Sequence, residues 1–339
     1  MIELEGRGFL AAGALFGAAP YGVLAAGTLE GGHPGRVFVN DPTHPQVGLI
    51  CTRVGYYFLA GQPSEAQAEG LARLFTETLI PAQVENFQNP EFLLFYHPPD
   101  WAERLLKQLE SLRPILIYKK RHTLPAGAQA ALQGWRERIP GGMRLVPLSA
   151  ALLESNADLR ETAELFYGTG EDFLQRGLGV ALLAGETLVC ACSTVFTGAG
   201  EVEIDIHTAE GYRGRGLAFL TASAFIEACL ERNLRPVWGC WPENTPSLNL
   251  ARRLGFTAEA DQPVCLRSSE EECADIIPAG SMRRVADSVG APAGELRCGT
   301  SASASVRGWT DVSAAQRPAA RAAISPSASG PSSSARGAR

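Results

Sequence analysis

The sequence predicts an α+β protein, and three observations predict it. Glu201-Val-Glu-Ile-Asp-Ile-His-Thr208 alternates polar and apolar residues, the period of a strand with one wet face. Residues 217–232 are apolar at Leu217, Leu220, Ala224, Phe225, Ala228 and Cys229, the period of a helix with one buried stripe. A glycine-rich turn joins the two, and further strand and helix patterns alternate on either side of them.

The first 140 residues hold short elements. Residues 47–52 and 56–60 read as strands divided by Gly55, a hairpin signal. Residues 64–79 read as a helix capped by Ser64, with Ala68, Leu71, Leu74, Phe75 and Leu79 along one stripe. Residues 91–97 are a strand, residues 101–112 a helix on Leu105, Leu106, Leu109 and Leu112, and residues 115–118 a strand. No catalytic grouping is readable there. Pro140-Gly-Gly142 marks a boundary. Residues 1–140 are thus expected to form an N-terminal α+β domain, and residues 141–277 a second domain. In the second, residues 180–184 and 187–196 are strands about Gly185-Glu186, residues 236–241 a strand and residues 247–254 a short helix. Residues 278–339 change character. Ser, Ala, Arg, Gly and Pro dominate and periodicity ends, which predicts a disordered low-complexity tail.

Composition narrows the function. The chain has 339 residues, 45% hydrophobic and 19% charged, with net charge −6. It is long enough for about two domains of roughly 150 residues. The acidic balance speaks against a nucleic-acid partner. The most apolar run near the start is broken by Gly13, Gly17, Pro20 and Gly22, so no membrane span is expected, and no positively charged leader precedes it. The eight cysteines lie mostly in apolar segments without a C-x-x-C pair, which predicts reduced thiols in the cytoplasm and no metal site. No lysine follows Lys120, so a P-loop is excluded.

The stretch that carries chemistry is Thr208-Ala-Glu-Gly-Tyr-Arg-Gly-Arg-Gly-Leu-Ala218, which leaves a strand and enters a helix. Gly214 and Gly216 let the backbone approach a ligand, and the helix start offers amides and a positive dipole end. Arg213 and Arg215 flank it. A diphosphate is the natural guest. A dinucleotide fingerprint needs glycine at 219, where Phe219 stands.

Arg213-Gly-Arg-Gly216-Leu-Ala218 resembles the R-x-x-G-x-A acyl-CoA pyrophosphate loop of the GNAT N-acetyltransferase superfamily. Asn244-Thr-Pro-Ser247 and Leu250-Ala-Arg-Arg-Leu-Gly-Phe256 resemble its N-x-x-S…L-G-F signature, in the right order. Residues 171–179, Glu203-Ile-Asp-Ile-His-Thr208 and Trp238-x-x-Trp241 are similar to the branch named for zwittermicin resistance, which also has an N-terminal α+β domain. The resemblance implies a GNAT-type fold, with a twisted, mostly antiparallel sheet splayed at two central parallel strands. It implies an N-acetyltransferase using acetyl-CoA as co-substrate, without a metal, on a primary amine of a small molecule, with the N-terminal domain shaping the acceptor site. Arg213, Gly214, Arg215, Gly216, Leu217 and Ala218 would hold the pyrophosphate. Ile206 and Thr208 would pair with the pantetheine arm, and Asn244 and Ser247 would lie near it.

Glu203, Asp205 and His207 share one strand face, about 7 Å apart in succession. Neighbouring carboxylates suit a base near neutral pH, so Glu203 and Asp205 are the candidate catalytic residues. Thr245 reads as the N-cap of the following helix, with Pro246 in its first turn. Ala251 departs from the family pattern, which places a tyrosine there as general acid. The alternative is therefore a catalytically weak or inactive GNAT-like module that binds CoA. Cys240 reads as a structural thiol.

Overall fold

The computed structural model describes residues 1–17, 19–87, 92–267 and 283–284. The chain begins with β1 (Ile2–Leu4), α1 (Gly13–Phe16), α2 (Gly22–Leu29), β2 (Gly35–Val39), β3 (Val47–Thr52) and β4 (Tyr56–Gly61). It continues through α3 (Glu65–Leu74), α4 (Ile80–Phe87), β5 (Phe92–His97), α5 (Trp101–Gln108) and β6 (Ile115–Thr123). Then follow β7 (Met143–Pro147), α6 (Ala150–Ser155), α7 (Ala157–Tyr167), α8 (Gly170–Arg176), β8 (Gly179–Ala184) and β9 (Thr187–Gly198). Last come β10 (Glu201–Thr208), α9 (Leu217–Glu231), β11 (Arg235–Cys240), α10 (Thr245–Arg253), β12 (Thr257–Ala258), β13 (Gln262–Arg267) and β14 (Arg283–Arg284).

Local chemistry explains the helix starts. The side chains of Ser64, Ser149 and Thr169 accept from the amides of Gln67, Leu152 and Asp172, capping α3, α6 and α8. The helix expected over residues 64–79 begins there as α3 and passes through a π turn at Phe75–Leu79 into α4.

The strands form one sheet in the order β1-β2-β3-β4-β5-β13-β6-β11-β10-β9-β8-β7. From either edge the pattern is the same. Three antiparallel pairings lead to a parallel pair, β4 with β5 or β10 with β11. An antiparallel centre joins the two sides. Helices α3 and α4 connect one parallel pair, and α9 the other. The chain thus holds two copies of one topology, and each has passed its last strand to the other. Strand β13 lies between β5 and β6, and β6 lies between β13 and β11. β12 continues the line of β13 along β6.

The expected tail falls almost wholly outside the described residues. The exception is Arg283–Arg284, which the low-complexity reading left without structure. They pair with Leu116 and Ile115 of β6 as β14. Backbone pairing needs no apolar side chain, so hydropathy could not reveal it.

One apolar core spans both halves of the sheet. It joins Tyr21, Tyr56, Phe58 and Phe95 to Phe166, Phe196 and Val237. The ring centroids of Tyr56 lie 6.0 Å from Phe95 and 6.0 Å from Phe196. A second core packs α9 on Val202, Ile204 and Ile206. A third packs α3 and α5 on the opposite face of the first half.

Candidate active site

β10 and β11 pair at Glu201↔Arg235, Val202↔Pro236 and Glu203↔Val237, and pairing then stops. On the other side of β10, the register against β9 shifts between Glu203 and Ile204. Phe196 faces Glu203 and Thr194 faces Ile204, so Val195 is an extra residue. A bulge bends and twists its strand pair, which turns β10 away from β11 at this point. Among the described residues β10 and β11 do not pair beyond Glu203, so this edge of β10 can meet an extended ligand. Ile206 and Thr208 lie on this opened length, and the Thr208 hydroxyl donates to Cys190 Sγ at 3.2 Å. Among the described residues the first half has no such cleft, because β4 and β5 stay paired from Tyr56↔Leu93 to Ala60↔His97.

The glycine-rich loop follows the opened strand. Gly214 and Gly216 have φ of +74° and +78°, the left-handed region. A Cβ at either would meet no atom within 4 Å, so conformation rather than packing calls for glycine. Gly216 is the N-cap of α9 and offers no side chain to its first turn, which leaves those amides for an anion. Leu217 is buried and anchors the helix, and Ala218 packs beside the same core. The guanidinium of Arg213 turns back, its Nε donating to the Thr208 carbonyl at 3.0 Å, and it approaches His207 Nε2 at 3.5 Å. Arg215 lies over the Tyr212 ring at 5.2 Å. Both arginines are exposed beside the loop.

Asn244 and Ser247 border the cleft and also have structural work. Asn244, not Thr245, is the N-cap of α10, its Oδ1 accepting from the Ser247 amide at 3.1 Å. Thr245 and Pro246 open the helix. The Asx side chain reaches the free amide better than the branched threonine next to it. Ser247 Oγ accepts from Trp238 Nε1 at 2.9 Å, tying α10 to β11.

Glu203, Asp205 and His207 share one face of β10; Asp205 and His207 are half-buried, but Glu203 does not face water. Glu203 is 6% exposed. Its Oε1 lies 2.6 Å from Nζ of Lys119 on β6. The strand exchange accounts for this, because it brings the first half against β10. Lys119 and Tyr56, both from residues read as carrying no catalytic grouping, line a cavity of about 60 Å³ with Glu203, Asp205, Trp238 and Gly239. Burial, then the charges of Glu203 and Asp205, push the Tyr56 phenol well up and keep it neutral. The Cys240 thiol is pushed up to about 11, chiefly by burial, as suits a structural thiol. Ala251 is fully buried in the second core, so α10 brings no hydroxyl from that position.

A larger cavity of about 370 Å³ opens beside the first, between the α6–α7 turn and β9–β10. Ser155, Asn156, Asp158, Ser193 and His207 line it. Asp205 and Thr162 border both cavities. The alternation of β10 pointed to Asp205. Tyr56 left no signal in the sequence, and Lys119 left only a charge beside the apolar run Ile115-Leu-Ile-Tyr118.

The sheet parts between two parallel strands, and the first of them runs into a glycine-rich loop and the uncapped start of α9. A family model described as GNAT acetyltransferase matches residues 15–264. The chain belongs to this family and is an acyl-CoA-dependent N-acetyltransferase. It is 29% identical over 227 residues to the uncharacterized N-acetyltransferase YdfB of Bacillus subtilis (strain 168), covering 66% of this chain and 82% of that protein. A GCN5-related N-acetyltransferase-like protein from Streptococcus suis 89/1591 superposes with TM-score 0.58 at 25% identity, covering 76% of this chain and 98% of that one. A GCN5-related N-acetyltransferase from Kribbella flavida shares the fold with TM-score 0.52 at 14% identity, covering 77% and 100%. Among the described residues no group of three or more His, Cys, Asp or Glu could hold a metal ion, and no helix is long and apolar enough to cross a membrane.

Proposed function

We propose that the protein transfers the acetyl group of acetyl-CoA to a primary amine of a small molecule in the cytoplasm, with Asp205 taking the amine's proton. The observation that carries this reading is the position of Asp205, which borders both the cavity at the parted strands and the larger cavity beside it.

Acetyl-CoA supplies the acetyl group as a thioester. The residues present fit such a guest. The uncapped first turn of α9 and the backbone of Arg213 to Ala218 would hold its diphosphate. The edge of β10 beyond Glu203, where pairing with β11 has ended, would take its amide-bearing arm at Ile206 and Thr208, with Asn244 and Ser247 along the opposite wall. The larger cavity has a small molecule's size and convergent polar groups. An amine entering there is mostly protonated near neutral pH, and a carboxylate at the junction accepts the proton directly or through one water.

CoA release with acetyl-CoA and a panel of small primary amines tests this. Turnover on at least one amine, with the acetyl group on its nitrogen, is expected. Failure of acetyl-CoA to bind contradicts the donor. Acetylation of protein lysines in preference to every small amine contradicts the acceptor.

A further inference from the structure

Lys119 reaches Glu203 across a strand that belongs to neither. β11 lies between β6 and β10, and Arg121 of β6 is paired with Gly239 of β11. The ion pair passes over Gly239. A Cβ there would sit 2.5 Å from Glu203 Oε1, 2.7 Å from Lys119 Cε and 2.9 Å from its Nζ. Both side chains are only 8% exposed. The bridge therefore ties β10 to β6 at the residue where β10 loses its hydrogen bonds to β11.

The charged and titratable groups that line cavities with Glu203 are Lys119, Lys120 and Arg121 from β6, Asp205 from β10, Tyr56 from β4, Cys240 from β11 and Tyr21 just before α2; Lys120 is paired with Asp261, and Arg121 with Glu201 and Glu259. Helix α7 presents the uncharged Thr162 and Phe166. Among the described residues Lys119 is thus the one cation lining the cavity at the parted strands, against two carboxylates.

We propose that Lys119 is a positioning residue: reaching over Gly239, it cancels the charge of Glu203 and pins it at the closed end of the cleft, so that Asp205 alone takes the amine's proton. This rests on the acetyltransfer reading above. Without the ammonium, the buried charge of Glu203 is uncompensated and the two carboxylates repel. Proton uptake by the pair then begins at higher pH.

The test compares wild type, Lys119→Met, Lys119→Arg and the double variant Lys119→Met/Glu203→Gln in two ways. Melting temperature is followed from pH 8 to pH 5, which needs no turnover. Relative to wild type, Lys119→Met should gain stability as pH falls, because the folded state binds the extra proton more tightly than the unfolded chain. The double variant should lose this slope, and Lys119→Arg should resemble wild type. In the second arm, the acidic limb of kcat/KM against pH should move up by about one pH unit in Lys119→Met. It should return in the double variant. Lys119→Met failing to fold while the double variant folds gives the same support, and Gly239→Ala should then reproduce the moved limb. A melting slope unchanged in Lys119→Met, or failure of the double variant to fold, overturns the pairing. A changed slope with an unmoved limb overturns the role in proton removal.

Discussion

Glu203 and Val237 form the last parallel pair before β10 and β11 separate, and the extra residue Val195 lies at the same level in β9. The equivalent place in the first half has no such irregularity. The register of β3 against β4 runs unbroken from Val47↔Gly61 to Cys51↔Tyr57, and β5 stays beside β4. The bulge at Val195 thus marks the level at which the cleft opens, and the second half has a further register shift between Leu182 and Leu183 on β8.

This difference predicts the stoichiometry of donor binding. Among the described residues the first half has no opened strand, and the turn before α3 is closed by Ser64, whose side chain caps the helix. Isothermal calorimetry should give one acetyl-CoA per chain. Two equivalent sites would contradict the assignment of the cleft.

Gly216→Val should lower CoA affinity. Its φ of +78° excludes a β-branched residue without strain, so the loop must change shape and α9 loses its open N-terminus. A Kd more than tenfold weaker, about 1.4 kcal/mol, is expected by calorimetry. Wild-type affinity would remove the loop from the site.

Ser247→Ala should destabilise the fold. It leaves the indole N–H of Trp238, itself 2% exposed, without its acceptor. The cost is about 1–3 kcal/mol in denaturant unfolding. An unchanged midpoint would show that Trp238 finds another partner.

Much of this architecture was legible in the residues. Strand 201–208 was readable in full because its alternation is strict, and the loop and α9 because glycine chemistry and a helical stripe meet there. The repeat was not legible, because topology can repeat without a repeated sequence. The exchange of β6 and β13 was hidden for the same reason. Gln262 pairs with Lys119 across the whole of the intervening second half, and local periodicity carries no trace of it. Hence Glu203 was read as facing water, and Lys119 and Tyr56 were missed at the cleft. The first forty residues were also unread, since Gly13, Gly17 and Gly22 interrupt any helical stripe.

Acid should destabilise the protein through His33. Its Nε2 accepts from the Thr197 amide at 2.9 Å, so its Nδ1 carries the proton and donates to the Phe166 carbonyl at 2.9 Å. Burial holds its pKa below the ordinary value. A lowered folded-state value means that the contribution is complete above the ordinary histidine value of about 6.5 and is lost as pH falls below it. His122, also lowered by burial, acts in the same direction. Melting temperature between pH 7 and pH 5 should fall less steeply in His33→Gln than in wild type. Equal slopes would assign the acid sensitivity elsewhere.

The most direct test of the whole account is single-turnover acetyl transfer by Asp205→Asn at saturating acetyl-CoA, with donor affinity measured alongside. The substitution keeps size and most hydrogen bonding and removes only the ability to accept a proton. The transfer rate should fall by about 10²–10⁴ while CoA affinity stays within a few-fold of wild type. A wild-type rate at the same affinity would contradict it, because the proton would then leave by a route that does not use the carboxylate between the two cavities.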